Sequence, residues 1–209
     1  MKSIIEILKK HSIKEILGYF VTQILKTDFK KFGYFRLNTN IEQVDEKLKG
    51  FELDVQPLTL EMVLKGDPNV FKGKKLELYK KRFKDPAYYG YGIMENDSLI
   101  YSTWFSTENL GLPGVTKRIP LLPNEGLLED SYCAPSARGR GLHGKMNNYR
   151  LKKLYEKGRN RIIAIVMYGN TPALKVQLKC GFEELGTFYM GKVFGIQFCT
   201  LNKKQYDNK

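Results

Sequence analysis

Two hydrophobic periods divide the chain. Between residues 3 and 26, Ile4, Ile5, Leu8, Ile13, Ile16, Leu17, Phe20 and Ile24 recur at mostly helical intervals with lysines between them, which predicts one or two amphipathic helices. Phe51, Leu53 and Val55 alternate as a strand does. Thr59 precedes a short apolar helix over residues 60–64, and a lysine-rich helix is expected over residues 72–84. Residues 88–94 and 99–105 are aromatic-rich runs separated by Glu95, Asn96, Asp97 and Ser98, so a hairpin is expected there. Residues 106–126 hold Pro113, Gly114, Pro120 and Pro123 and read as a loop long enough to serve as a lid or binding segment.

From residue 127 the order becomes strand, helix, strand, helix, strand, strand. Residues 127–133 are strand-like. Leu142, Met146, Tyr149, Leu151, Leu154 and Tyr155 mark a helix ending near Gly158. Residues 161–168 are almost continuously apolar, as in a strand buried on both faces. Thr171 is expected to cap a helix carrying Pro172 in its first turn and stopped by Gly181. Residues 183–189 and 193–201 complete the pattern as a closing hairpin.

With 209 residues, 42% of them hydrophobic, the chain supports a single core. Cys133, Cys180 and Cys199 have no metal-ligand spacing and only two histidines accompany them, so neither a disulfide scaffold nor a metal site is expected. Charged residues interrupt the N-terminal apolar run, so no signal peptide or membrane span is read and a cytoplasmic setting is expected. The 35 basic against 22 acidic residues are split evenly between the two parts of the chain, but one segment of the second part is strongly electropositive. Residues 137–161 carry Arg138, Arg140, Lys145, Arg150, Lys152, Lys153, Lys157, Arg159 and Arg161 against Glu156 alone.

That basic segment opens with Arg138, Gly139, Arg140, Gly141, Leu142, His143 and Gly144, between a strand and a helix. Glycines let several N–H groups converge, and a helix N-terminus adds about half a positive charge, so the loop suits a phosphate. Gly139, Gly141 and Gly144 also spell the dinucleotide fingerprint, but the acidic ribose ligand expected at the end of the next strand is missing, where Met167, Tyr168, Gly169 and Asn170 stand instead.

A different pairing of motifs covers residues 127–182. The Arg138–Leu142 run resembles the acyl-CoA-binding motif Q/R-x-x-G-x-G/A of the GNAT acetyltransferase superfamily. Asn170, Ala173, Val176, Gly181 and Phe182 fit that family's following motif. The resemblance departs at His143, where the family has Gly or Ala, and at Gln177, where many members have a proton-donating Tyr. It implies a mixed α+β fold with a central twisted sheet flanked by helices. It also implies acetyl-CoA as cosubstrate, an amine acceptor and no metal. Residues 51–209 would form this domain, with residues 1–50 as an N-terminal helical extension shaping an acceptor site or a homodimer contact.

By the same resemblance, the backbone of Ser131, Tyr132 and Cys133 would hold the pantetheine arm and polarise the thioester. The segment Arg138, Gly139, Arg140, Gly141, Leu142, His143 and Gly144 would hold the pyrophosphate, and Asn170 would contact the cofactor. A lysine-like amine is protonated at neutral pH at a cost of roughly 4.6 kcal/mol to its nucleophilic form, so a base is useful. Strand parity would place Glu129 with Ser131 and Cys133 and Asp130 opposite, which nominates Glu129 as direct or water-mediated base, a buried salt bridge or a simply solvated side chain being its other readings. Tyr132, Tyr168 and Tyr189 are unranked candidates for the acid, and Cys133 reads as a small core residue. Two other functions compete: a basic nucleic-acid-binding module using the 137–161 helix, and a CoA-binding protein without catalysis.

Overall fold

Residues 28–38 form a strand that the hydrophobic pattern does not predict. In the computed structural model, which describes Lys14 and residues 28–112, 119–193 and 196–207, Asp28–Asn38 (β1) lies in the middle of an eight-stranded sheet. Then follow α1 (Ile41–Leu48), β2 (Val55–Pro57), α2 (Leu60–Leu64), α3 (Gly73–Arg82), β3 (Tyr88–Glu95) and β4 (Ser98–Ser106). Next come β5 (Asn109–Leu110), β6 (Ile119–Pro120), β7 (Glu125–Cys133), a 3₁₀ turn at Pro135–Ala137, and α4 (Leu142–Glu156). The chain continues through β8 (Arg161–Met167), α5 (Thr171–Cys180), β9 (Glu183–Val193), β10 (Ile196–Cys199) and α6 (Lys204–Asp207). The sheet order is β10-β9-β1-β8-β7-β4-β3-β2, antiparallel throughout except for the parallel pair β7 and β8.

The expected boundary at residue 50 therefore does not separate a helical extension from the domain. Tyr34 and Phe35 are neighbours on β1 and point into different clusters on the two faces of the sheet. The helices expected over residues 3–26 lie outside the described residues, save for Lys14.

Each helix follows from its apolar stripe. On one face, α1, α4 and α5 pack around Phe35, Phe105, Leu128, Leu151, Leu154 and Ala164, and the start of α4 places Leu142 and Met146 against Tyr101. The other face carries two separate clusters. In one, α2 and α3 set Val63 and Tyr79 against Trp104 and Tyr132. In the other, Leu110, Leu112 and Tyr206 cover Tyr34, Leu127, Ile163 and Phe188. The C-terminal turn is tied down by charge as well: Lys203 lies 2.8 Å from the fully buried Glu125, and Arg36 and Arg161 both donate to Tyr206 O at 3.0 Å.

The hairpin of β3 and β4 forms as expected, with Asn96 and Asp97 at positive φ in its two-residue turn. The run 106–126 is not loop alone, since β5 and β6 pair as a short ribbon. Among residues 51–55, only Val55 enters a strand. The cap of α5 is Asn170 rather than Thr171: its side chain accepts from Ala173 N–H at 3.3 Å. Among the described residues, no helix is long and apolar enough to cross a membrane.

Candidate active site

A single irregularity of β7 builds the site. β7 pairs with β8 only over Glu125–Leu128 and Arg161–Ala164, after which the strands part. On its other edge β7 pairs with β4, Thr103 opposite Ser131 and then Phe105 opposite Leu128, so Glu129 and Asp130 together oppose Trp104. This is a β-bulge, and the extra residue bends the strand away from its neighbour. Ala134 N–H donates to Ile100 O, which makes Tyr132 and Ser102 a hydrogen-bonded pair and leaves Ser131 and Cys133 in the alternate positions. Their N–H and C=O groups consequently turn away from β4 into the gap.

The bulge also corrects the expected side-chain faces. An unbroken pleat would separate Glu129 from Asp130, yet Arg82 of α3 bonds the Glu129 carboxylate while its Nη1 lies 3.7 Å from Asp130 Oδ2. Both carboxylates thus face α3. Ser131 turns elsewhere, with its Oγ 2.8 Å from Thr103 Oγ1, and Cys133 packs in the cluster containing Leu142 and Met146.

Glu129 is both buried and paired. Removal from water pushes its carboxyl up to about 7, outweighing the opposing charge of Arg82, while the charge of Asp130 adds to the rise. Ser106 Oγ lies 3.5 Å from Oε1. Gly111 comes so near that a Cβ there would sit 2.9 Å from Glu129 Oε1 and 3.3 Å from the Tyr88 hydroxyl, so a side chain would displace the carboxylate. A carboxyl of this kind, half ionised near neutrality beside a cavity, suits proton transfer.

Arg150 supports the bulge from the opposite face. Only 1% exposed, it donates from Nη1 to Trp104 O at 3.0 Å and to Glu129 O at 2.9 Å, and from Nη2 to Asn147 Oδ1. These carbonyls belong to residues the bulge takes out of regular pairing. The guanidinium supplies the donors that the ladder does not.

A cavity of about 1000 Å³ runs through the gap between β7 and β8. His143, Asn170 and Gln177 line it on the α4 and α5 side, and Leu78, Arg82 and Tyr88 on the α3 side, with Glu129 and Ser131 between. At the first end, Gly139 and Gly141 have φ of 79° and 72°, a conformation that glycine adopts without strain. No side chain caps α4, and a Cβ on Gly139, Gly141 or Gly144 would meet open space. The first N–H groups of a 15-residue helix therefore face an open approach, which fits a phosphate. The residues present fit an acyl-CoA, with loop and helix for the pyrophosphate and the gap for the pantetheine arm.

The remaining nominated residues divide. Arg140 makes a bidentate bond to Glu95 at 2.9 and 3.0 Å, which anchors the loop, while Arg138 is exposed. Tyr132 packs edge-on against Phe71 among the α3 residues. The Cys133 thiol is pushed up by burial, which disfavours a nucleophilic thiolate. His143 Nδ1 lies 2.7 Å from the Tyr101 hydroxyl, and burial followed by the charge of Arg150 pushes the ring down to about 4, keeping it neutral. Gln177 Oε1 accepts from Asn147 at 3.2 Å. Of the tyrosines, Tyr168 is bonded to Glu184 and Tyr189 is largely exposed. Neither they nor Tyr132 line the cavity, whereas Tyr88 does. Arg82, Arg150 and Tyr88 carry no local motif that sequence could have flagged. Among the described residues, no group of three or more His, Cys, Asp or Glu gathers as a metal site.

Much of the basic 137–161 segment is already engaged. Besides Arg140 and Arg150, Lys152 pairs with Asp45 at 2.8 Å and Lys153 with Glu156 at 2.8 Å, and Lys157 lies over the Tyr89 ring. Tyr149 packs on Tyr91 and Phe51 rather than standing free to stack on a base.

No family profile and no curated protein sequence matches the chain. The architecture, a central twisted sheet flanked by helices, is that of GNAT-fold acetyltransferases. A GNAT-family protein from Novosphingobium aromaticivorans superposes with a TM-score of 0.53 at 11% identity, over 78% of this chain and 64% of that one. An acetyltransferase of the GNAT family from Colwellia psychrerythraea gives 0.53 at 14% identity, over 85% and 62%. The aminoglycoside N-acetyltransferase AAC(6′)-Iy, solved with CoA, gives 0.50 at 19% identity, over 64% of this chain and 93% of that one. The chain thus spans less than two thirds of the first two proteins' length.

Proposed function

We propose that the protein is an acyltransferase that moves an acetyl group from acetyl-CoA to an amine by direct attack. One observation carries the reading. The bulged gap turns the Ser131 amide away from β4 into the same cavity that holds Glu129, and His143, in the uncapped first turn of α4, lines that cavity as well.

Acetyl-CoA supplies the activated thioester. The N–H groups of Gly139 to Gly144 hold its pyrophosphate, helped by Arg138, while Arg140 fixes the loop and Asn170 lines the passage. An amide of Ser131 or Cys133 donates to the carbonyl oxygen as negative charge grows there. Glu129, held by Arg82 against the α3 side, takes the amine proton directly or through a water. A thiolate whose conjugate acid titrates near 8.5 leaves with modest help, so Gln177 in place of a tyrosine does not prevent the reaction.

Acetyl-CoA at 100 times its dissociation constant is expected to stabilise the fold by about 2.7 kcal/mol, a rise in Tm of roughly 5–10 °C. NADH at the same concentration is expected to leave it unchanged, and an amine is expected to trigger thiol release. Stabilisation by NADH alone would refute the reading. Gly141→Ala is expected to cost about 1–2 kcal/mol of stability because φ is positive, and to weaken CoA binding beyond that. CoA affinity equal to that of the wild type would take the loop out of the site.

A further inference from the structure

The cavity carries positive charge on its α3 side that the transfer reaction does not use. Lys74, Leu78, Lys81 and Arg82 share the stripe of α3 that lines it. Arg82 is occupied by Glu129 and Asp130, and Lys75 beside it reaches Asp130 at 3.2 Å, so those carboxylates are matched by two cations. Lys74 and Lys81 are matched by nothing: among the described residues, no ion pair or hydrogen bond engages either ammonium group. Asp85 also lines the cavity, and its Oδ1 accepts from Ala87 N–H at 3.0 Å.

α3 packs against Trp104 and Tyr132, and α4 against Tyr101 on the opposite face of the sheet. The spare lysines are therefore across the sheet from the loop assigned to the pyrophosphate, in the half left for the acceptor. Seven residues of helix separate them by about 10 Å, and Leu78, 42% exposed, presents an apolar surface between them. A polycationic acceptor would set its second ammonium against two unmatched lysines, whereas an acceptor with a negative group would neutralise them.

Resting on the acyl-transfer reading, we infer that the acceptor is a primary amine bearing an anionic group, a phosphate or a carboxylate. Its amine points to Glu129, its anion meets Lys74 and Lys81, and its uncharged body covers Leu78. Such an acceptor spans the cavity from the bulge to the exposed stripe of α3.

Calorimetry on the protein saturated with CoA tests this, because the pyrophosphate site is then filled and binding is read independently of transfer. Two matched pairs serve as probes: glucosamine with glucosamine 6-phosphate, and lysinamide with lysine. At least one anionic member is expected to bind ten-fold or more tightly than its partner, the first pair reporting phosphate and the second carboxylate. In the double variant Lys74→Glu, Lys81→Glu that preference is expected to vanish or reverse, with CoA affinity unchanged. Equal affinity within both pairs, or a preference untouched by the double variant, would overturn the inference. Thiol release from acetyl-CoA with the same amines is measured alongside. Its absence, with the anionic preference intact, would sink the acyl-transfer reading and leave the charge selectivity standing.

Discussion

In Glu129→Gln, turnover is expected to fall by about 10² to 10⁴ while CoA affinity stays close to the wild type. Glutamine keeps the size and an acceptor for Arg82 but cannot take a proton. Wild-type activity is expected to rise as pH passes about 7, where the buried carboxyl becomes ionised. The deficit of the variant should then shrink toward pH 10, because an amine titrating near 10.4 increasingly supplies its own neutral form. Stability carries the opposite sign. Between the ordinary value of 4.5 and about 7, the folded state keeps a proton that the unfolded chain releases, so this group's contribution is full below that window and declines as pH rises through it. The substitution to glutamine removes that slope. A variant-to-wild-type activity ratio near one at every pH from 6 to 10 would take Glu129 out of the mechanism and leave it a structural partner of Arg82.

Arg150→Met is expected to be the most destabilising of the single substitutions. The apolar side chain fills much of the volume but leaves Trp104 O, Glu129 O and Asn147 Oδ1 without their donor. Unpartnered buried acceptors cost about 1–3 kcal/mol each, and removal of a desolvated charge offsets part of that. A net loss of about 3–5 kcal/mol lowers Tm by roughly 6–20 °C in a chain of this size. Arg150→Lys retains the charge but not the fork, so it should recover only a fraction of the loss. A melting temperature unchanged in Arg150→Met would show that the bulge holds its shape without the guanidinium.

What sequence reveals here depends on whether local chemistry dictates it. The β3–β4 hairpin is legible because Asn96 and Asp97 tolerate positive φ. The passage from β7 through α5 is legible because glycines and an Asn-Thr-Pro start punctuate it. β1 is not, since Tyr34 and Phe35 are buried on opposite faces and erase the alternation that marks a half-exposed strand. Glu129 does reach the cavity, but through a bulge that breaks the parity used to nominate it, and a bulge is decided by long-range packing. Arg82 and Arg150 illustrate the same limit. Each sits among other basic residues on a helix, and nothing nearby in sequence distinguishes a cation that will be buried from one that stays in water.

The position of β1 has a consequence for how the chain comes to be folded. Its neighbours in the sheet are β8 at Arg161–Met167 and β9 at Glu183–Val193. A ribosome therefore releases Phe32, Tyr34 and Phe35 long before any strand that can cover them exists. The hairpin of β3 and β4 assembles locally and early, whereas the centre of the sheet waits for nearly the whole polypeptide. During that interval an aromatic strand with two open edges is exposed to other nascent chains, which leaves it open to edge-to-edge pairing. Translation halted before residue 160 would leave β1 with neither partner, so truncated products are expected to aggregate rather than persist as partly folded domains.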